Sequence, residues 1–223
     1  MQLTTQRLFA SRISAWIGTA FLALLAFALP ASAQTLGKDY TLVEPPQATE
    51  TPGKIEVIEF FSYGCPHCKD FHPLVTAWAA KQSQDVVFKR VPVTFGRAAW
   101  TTLGKLYYAL ETSGDLAKLD GAVFHAIHED RTNLFDDRSI IEWVHKQGAD
   151  PKKFSDAYSS FTVNSKMARA EQLARAYKVD GVPMVVVDGK YVVKGQSFQD
   201  VLNSADQLIA KVRSENGAKG KKK

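Results

Sequence analysis

Residues 55–70 read IEVIEFFSYGCPHCKD. The segment begins as an apolar strand, continues through a glycine and reaches Cys65 and Cys68, the two cysteines of the chain. Residues three apart lie on the same face of a helix, so this spacing allows both a dithiol and a disulfide. Pro66 suits the first turn of a helix, because it has no backbone N–H to leave unpaired. The sequence therefore predicts a helix that begins at this proline, with Cys65 at its N-terminus.

The position predicted for Cys65 makes it the reactive cysteine. Free backbone N–H groups and the positive end of the helix dipole stabilise a thiolate there, and His67 adds positive charge or a hydrogen bond. We therefore expect the pKa of Cys65 to be lowered. A stabilised thiolate is also a good leaving group, so a disulfide that contains it is easily attacked and its reduced form is favoured. Such a pair oxidises other thiols.

Three other interpretations of the cysteine pair stay open at this point. A structural disulfide would close so short a loop that it would add only about 2 kcal/mol of stability. A pair of inert buried thiols is disfavoured by the proline between the cysteines and by the strand that leads into them. A zinc site needs about four ligands, so histidines would have to complete it, and we predict no metal. The histidines of the chain are His67, His72, His125, His128 and His145.

Glu59 interrupts the apolar strand, six residues before Cys65. A carboxylate inside a buried strand is costly unless it has a partner or a function. We interpret Glu59 as a proton acceptor or electrostatic tuner of the cysteines, and the alternative is a carboxylate that reaches water at the strand end. The apolar residues beside it alternate between two faces, with Ile55, Val57 and Phe61 on one and Ile58 and Phe60 on the other.

Residues 1–33 have the layout of a secretory signal peptide. Two arginines precede an apolar run from Ala15 to Leu29, and Ala31-Ser32-Ala33 follows. The run is shorter than the roughly 20 residues that cross a bilayer as a helix, so an uncleaved anchor is the lesser alternative. We expect export of the chain and cleavage after Ala33, and the cleavage lowers the formal charge of the chain from +5 to +3. An exported chain with one Cys-x-x-Cys pair is expected to act on the cysteines of other proteins.

Turn residues and changes of periodicity divide the chain into parts. Strand patterns flank the predicted helix at residues 55–61 and 85–94, and helical spacing of apolar residues extends from Gly96 to about Val179. A hairpin around Asp188-Gly189 and a last helix over 198–213 follow. The basic tail has no interleaved aromatic residues, so no nucleic acid is predicted as a partner. The predicted parts are a signal peptide (1–33), the first part of an α/β core (34–95), a helical insertion (96–179), the second part of the core (180–214) and a basic disordered tail (215–223).

A proline opens the strand of that hairpin. Proline at a strand start is often harmless, but a cis bond between Val182 and Pro183 would turn the backbone of Val182 toward the cysteines.

The order of these elements is that of the thioredoxin fold, and the chain resembles the DsbA family of periplasmic thiol oxidases. The resemblance extends over essentially all of the chain after the signal peptide. It is carried by the helical insertion, the signal peptide and the residues Glu59, Cys65-Pro66-His67-Cys68 and Gly181-Val182-Pro183.

The resemblance implies an α/β protein with a thioredoxin fold and an inserted helical subdomain. It implies a thiol:disulfide oxidoreductase of the periplasm that needs no cofactor beyond its own disulfide and that passes this disulfide to unfolded, cysteine-containing exported proteins. A quinone-linked membrane protein of the DsbB type would reoxidise it. The implied roles are Cys65 as the exposed nucleophile, Cys68 as its buried partner, Pro66 and His67 as tuners of redox poise, Glu59 as the buried acid, and Val182 with Pro183 as the edge that receives the substrate backbone.

Two functional alternatives stay beside this one. The same chemistry could run in reverse, as a periplasmic reductase or isomerase. A metal-carrying or chaperone-like binding module belongs to a different class. Isomerase relatives that dimerise carry an extra N-terminal domain, for which the short arm after residue 33 leaves no room, so we expect a monomer.

Overall fold

The structure, a computed structural model, describes residues 34–220. The predicted signal peptide and its cleavage site at Ala33 lie outside the described residues. Within the described range a five-stranded sheet is formed by β1 (Tyr40–Leu42), β2 (Ile55–Phe61), β3 (Val86–Pro92), β4 (Met184–Val187) and β5 (Tyr191–Val193). The helices of this range are α1 (Pro66–Ala79), α2 (Ala98–Ser113), α3 (Leu116–His128), α4 (Asp137–Lys146), α5 (Pro151–Tyr158), α6 (Phe161–Ala176) and α7 (Phe198–Gly220).

The sheet has the strand order β1-β5-β4-β2-β3. Strand β2 pairs with β3 in parallel, and this pair is joined through α1, as the sequence predicted. The register of this pair places Glu59 opposite Arg90. Strand β4 pairs antiparallel with both β2 and β5, so the chain that follows the inserted helices returns beside the strand that leads to the cysteines.

Apolar side chains cover both faces of β2. Ile55 and Val57 belong to a core that includes side chains of α1 and α7, whereas Ile58 and Phe60 belong to a core that includes the inserted helices α2 to α6. Phe61 departs from the predicted alternation, because it packs on the side of the inserted helices. Its ring lies 5.1 Å from the Tyr107 ring and 6.3 Å from the Phe124 ring, on α2 and α3. The inserted helices therefore extend past the end of β2, toward the cysteines.

Local side-chain contacts explain where several inserted helices begin. The carboxylate of Asp136 accepts from the backbone N–H of Ser139 at the start of α4, and Asp150 accepts in the same way from Lys153 at the start of α5. Helix α5 thus begins at Pro151, directly after its cap Asp150. Together α2 to α6 fill the part of the chain between β3 and β4. The exact boundaries of an insertion there stay a prediction.

The turn between β4 and β5 has the geometry expected from its sequence. Asp188 and Gly189 both have positive φ values, 54° and 64°, as a two-residue hairpin turn requires. Gly189 also lies against the backbone carbonyl of Gln47 so closely that a Cβ atom would clash with it. The N-terminal arm therefore packs on this hairpin, where the Gln47 N–H donates to the Gly189 carbonyl at 2.9 Å.

Helix α7 is longer than predicted. It continues past Arg213 to Gly220, so residues 215–220 of the predicted tail are helical. Glu215 explains part of the extension, because its carboxylate accepts from the Tyr191 hydroxyl at 2.7 Å and lies 3.7 Å from the Lys190 ammonium. These contacts attach the added turn to β5. In the range 34–220, no helix combines the length and the apolarity that crossing a membrane would require.

Candidate active site

Helix α1 begins at Pro66, and Cys65 is its N-cap residue. The backbone N–H of Cys68 donates to the Cys65 Sγ at 3.4 Å, so the sulfur occupies the position that a capping oxygen takes in other helices. This confirms the helix start predicted from the sequence. Both cysteines are free thiols in this structure, which therefore represents the reduced form of the pair.

The two cysteines differ in their access to solvent. Cys68 has no exposed surface, whereas Cys65 is 6% exposed. Cys65 is thus the more accessible of the two, but it is far more covered than the exposed nucleophile that the family resemblance implied. The cover comes in part from the loop before β4, where the carbonyl oxygen of Val182 lies 3.4 Å from the Cys65 Sγ.

The surroundings of the two thiols move their pKa values in opposite directions. The pKa of Cys65 is lowered to about 6, first by the hydrogen bond with the Cys68 side chain and then by the backbone N–H groups of Cys68 and His67 and the charge of His67. Burial raises the pKa of Cys68, and the Cys65 sulfur and the Glu59 charge raise it further. At neutral pH the reduced pair is therefore a thiolate at Cys65 beside a neutral thiol at Cys68.

The mouth of the site is formed by α1 and by the loop before β4. Pro66 and His67 are exposed there, and the peptide bond between Val182 and Pro183 is cis. An open groove of about 480 Å³ runs beside them. It is lined mainly by apolar side chains, which include Phe71, Val182, Pro183, Val185, Phe198 and Val201.

Glu59 is completely buried, so the alternative in which its carboxylate reaches water at the strand end is wrong. The Arg90 Nε donates to the Glu59 Oε2 at 2.7 Å, and Oε1 has no hydrogen-bond donor among the described residues. Burial raises the pKa of Glu59, while the Arg90 charge opposes this. Cys65 also raises the pKa of Glu59, so the carboxylate and the cysteine pair affect each other electrostatically.

Sequence reasoning missed the partners of Glu59. Arg90 is 7% exposed, and its guanidinium bridges Glu59 to Asp120 of α3. The arginine was visible as a charge inside the apolar run VVFKRVP of β3, and the parallel register then places it opposite Glu59. Nothing in the local sequence marks Asp120, because its role depends on how α3 packs against the sheet.

The described residues contain no group of three or more histidine, cysteine, aspartate or glutamate side chains arranged to hold a metal ion. The arrangement can perform thiol–disulfide exchange, because it combines the Cys65 thiolate with a second thiol at Cys68 and with a buried carboxylate that affects the proton affinity of that second thiol.

Comparison with known proteins agrees with this chemistry. The profile of the DSBA-like thioredoxin domain matches residues 56–207. Among similar proteins, the thiol:disulfide interchange protein DsbA of Burkholderia cepacia is 45% identical over 186 residues, which cover 83% of this chain and 86% of the relative. The DsbA of Bordetella parapertussis is 40% identical over 201 residues, which cover 88% of this chain and 95% of the relative.

Solved structures give the same result for the fold. The crystal structure of Pseudomonas aeruginosa DsbA superposes with a TM-score of 0.80 at 38% identity, and it covers 84% of this chain and 98% of that one. This confirms the predicted thioredoxin fold with its helices between β3 and β4. The chain belongs to the DSBA-like thioredoxin domain family, and it is a thiol:disulfide oxidoreductase whose redox group is its own cysteine pair.

Proposed function

We propose that the chain donates the Cys65–Cys68 disulfide to unfolded, newly exported proteins in the periplasm. The direction of exchange is supported by the opposite pKa shifts of the two cysteines at the start of α1. A disulfide whose Cys65 sulfur is stable as a thiolate releases free energy when it is reduced, so the pair oxidises substrate thiols. The layout of residues 1–33 supports export, because it is that of a signal peptide.

In the proposed reaction a substrate thiolate attacks the Cys65 sulfur of the oxidised protein. The Cys65–Cys68 bond breaks, a mixed disulfide forms at Cys65, and the Cys68 sulfur leaves and takes up a proton. A second substrate thiolate then attacks the substrate sulfur of the mixed disulfide, and Cys65 leaves as a thiolate. The substrate loses two electrons and gains a disulfide, and the protein gains two electrons and becomes a dithiol.

We assign the other site residues to supporting roles. Pro66 and His67 set the redox poise of the pair, and Glu59 exchanges protons with Cys68. Val182 and Pro183 receive the substrate backbone, since an extended chain that pairs there brings its cysteine to Cys65. The apolar groove beside His67 fits side chains of an unfolded substrate, which a folded protein would keep inside.

We also propose two features of the cellular cycle. A quinone-linked membrane protein of the DsbB type withdraws the two electrons from the reduced pair. The protein works as a monomer, which sedimentation of the purified chain at working concentration tests directly.

The test is the equilibrium of the cysteine pair with a glutathione buffer, together with the free energy of unfolding of both redox forms. We expect the pair to stay reduced except in strongly oxidising buffer, and the reduced form to be the more stable. A pair that stays oxidised in reducing buffer would point to a reductase. Tightly bound zinc or copper without glutathione exchange would point to a metal-carrying module.

A substrate assay completes the test. One equivalent of oxidised protein is mixed with reduced, denatured ribonuclease, and free thiols are counted on both proteins after alkylation. We expect the disulfide to appear on ribonuclease as it disappears from the chain. Cys68→Ser is the matched control, because it keeps Cys65 but has no disulfide to transfer.

A further inference from the structure

Asp120 connects the inserted helices to the buried carboxylate beneath the cysteines. It lies on α3, and both of its carboxylate oxygens accept from the Arg90 Nη1, at 3.0 Å and 2.7 Å. The same guanidinium donates through Nε to Glu59. One cation is therefore shared by two carboxylates, of which Glu59 is fully buried and Asp120 has 18% of its side chain exposed.

Asp120 also contacts the two segments that flank the cysteines. The Tyr63 hydroxyl donates to the Asp120 Oδ1 at 2.5 Å, and Tyr63 stands two residues before Cys65. The His72 Nε2 lies 3.7 Å from the Asp120 Oδ2, and His72 is on α1. Asp120 is thus held by β3 and by the loop before the cysteines, and it lies beside the active-site helix.

The shared guanidinium has an electrostatic consequence for Glu59. A carboxylate that had Arg90 to itself would be held firmly in its charged form and would be a weak base. The negative charge of Asp120 counters this: after burial, which is the largest effect, it is a further cause that raises the pKa of Glu59. Arg90 itself is fixed, because its guanidinium carbon lies 3.8 Å from the centre of the Phe61 ring.

We propose that Asp120 is a positioning residue for proton transfer: it competes with Glu59 for the Arg90 guanidinium, and so keeps Glu59 able to accept the proton of Cys68. This inference rests on the proposed role of Glu59. It assigns the inserted helices a part in the chemistry, because they supply the second carboxylate. The titratable and charged groups that surround the pair of carboxylates are Arg90 from β3, Tyr63 from the loop, Cys65, Cys68 and His72 around α1, and Tyr107 from α2. His128 of α3 lies next to this group, with its Nε2 2.8 Å from the Tyr63 carbonyl oxygen.

The step in which Cys68 must lose a proton is the closing of the disulfide during reoxidation. With oxidised glutathione as the oxidant, the Cys65 thiolate attacks one sulfur, a Cys65–glutathione bond forms and the first glutathione thiolate leaves. Cys68 then gives its proton to Glu59, its sulfur attacks the Cys65 sulfur, and the second glutathione thiolate leaves. Glutathione disulfide gains two electrons, the dithiol loses two, and Glu59 passes the proton to solvent.

The experiment measures the first-order rate constant of this closing step against pH, from about pH 5 to pH 8. Reduced protein is mixed with excess oxidised glutathione, quenched with acid and analysed by mass, which separates the mixed disulfide from the closed form. Ionisation of Cys65 does not enter this step, because Cys65 is already bound to glutathione. The rate should fall on the acid side as Glu59 becomes protonated.

Asp120→Asn leaves Arg90 to Glu59 alone, which makes Glu59 a weaker base that stays charged at lower pH. We expect a lower rate constant at pH 8, and a ratio of the rate constant at pH 5 to that at pH 8 that rises several-fold, because neighbours in one ion-pair network are typically coupled. A merely structural role would slow the step at every pH by the same factor. In the Asp120→Asn variant the buried pair of Arg90 and Glu59 is neutral overall, so no unpaired charge is left buried. If the asparagine variant does not fold, Asp120→Ser makes the same change of charge.

Two further variants complete the comparison. Asp120→Glu keeps the charge and should keep the wild-type pH dependence. Asp137→Asn is the matched control, because Asp137 also accepts from a tyrosine hydroxyl and lies beside a cation, at Tyr158 and Lys105, outside the Glu59 cluster. It should leave the closing step unchanged.

The outcomes separate the two proposals. If Glu59→Gln slows the closing step and makes its rate rise steadily with pH, because hydroxide must then remove the Cys68 proton, while Asp120→Asn leaves the ratio at its wild-type value, the inference about Asp120 is overturned and the role of Glu59 stands. If Glu59→Gln leaves both the rate and its pH profile unchanged, the role of Glu59 fails and the inference fails with it.

Discussion

The lowered pKa of Cys65 predicts how the stability of the reduced protein depends on pH. The pKa is about 6 in the folded chain, against 9.0 for an ordinary thiol. Because the pKa of Cys65 is lower in the folded chain than in the unfolded chain, ionisation of Cys65 stabilises the folded state. This stabilisation is complete above pH 9 and is lost as the pH falls through 6.

The magnitude follows from linkage between proton binding and folding. At pH 7 a shift of this size corresponds to about 1.4 kcal/mol in the free energy of unfolding, and about 1 kcal/mol remains after allowance for screening by water at the mouth of the site. At pH 5 the contribution is close to zero, because Cys65 is then a neutral thiol in both states. The reduced protein should therefore lose about 1 kcal/mol through this group between pH 7 and pH 5.

Urea unfolding of the reduced protein at several pH values measures this loss. Other groups also titrate in this range, so the same series is recorded for Cys65→Ser, which has the same shape but no thiol to ionise. The difference between the two proteins should grow by about 1 kcal/mol from pH 5 to pH 7. Ultraviolet absorbance of the thiolate gives an independent midpoint, which we expect near pH 6.

A difference that stays flat over this range would refute the reasoning, because Cys65 would then titrate as an ordinary thiol. A difference that grows as the pH falls would refute it more strongly, since the site would then destabilise the thiolate. Either result would also remove the support for an oxidising pair.

Three further predictions concern the cluster, the hairpin and the groove. Arg90→Met leaves Glu59 without its cation, so we expect the free energy of unfolding to fall by about 3–5 kcal/mol at pH 7. The loss should be smaller at lower pH, because burial already raises the pKa of Glu59 and removal of the cation favours its protonated form further; urea unfolding at pH 7 and pH 5 measures this. Gly189→Ala should lower the free energy of unfolding by at least about 1–2 kcal/mol because of its left-handed backbone, and by more because of the clash with the Gln47 carbonyl. A smaller loss, measured by urea unfolding, would contradict the close packing. Phe198→Ser removes an apolar wall of the groove, so the rate with reduced, unfolded ribonuclease should fall several-fold while the rate with glutathione stays unchanged.

Sequence reasoning succeeded where the cause of the structure is local. The helix start at Pro66, with Cys65 as its cap, follows from the missing N–H of proline and from the orphan donors of a first helical turn. The hairpin at Asp188-Gly189 follows from the positive φ values that these two residues tolerate. In each case the deciding residues are neighbours in the chain.

The same reasoning was less complete where a distant segment intervenes. Phe61 leaves the predicted face because inserted helices extend past the end of β2, and Cys65 is largely covered because the Val182 loop lies against its sulfur. The last helix continues beyond Arg213 because Glu215 finds a partner on β5. None of these contacts is encoded by residues next to one another.

The sequence by itself thus determined the reactive cysteine pair, its place at a helix start and the α/β order of elements around it, since capping, proline geometry and apolar periodicity act over a few residues. Only the tertiary structure decided which groups surround that pair. Glu59, Arg90 and Asp120 stand about thirty residues apart in the chain, and they meet because the parallel register of β2 and β3 and the packing of α3 bring them together. Register and packing depend on the whole core, and so the charge cluster beneath the cysteines could not be predicted from any single stretch of sequence.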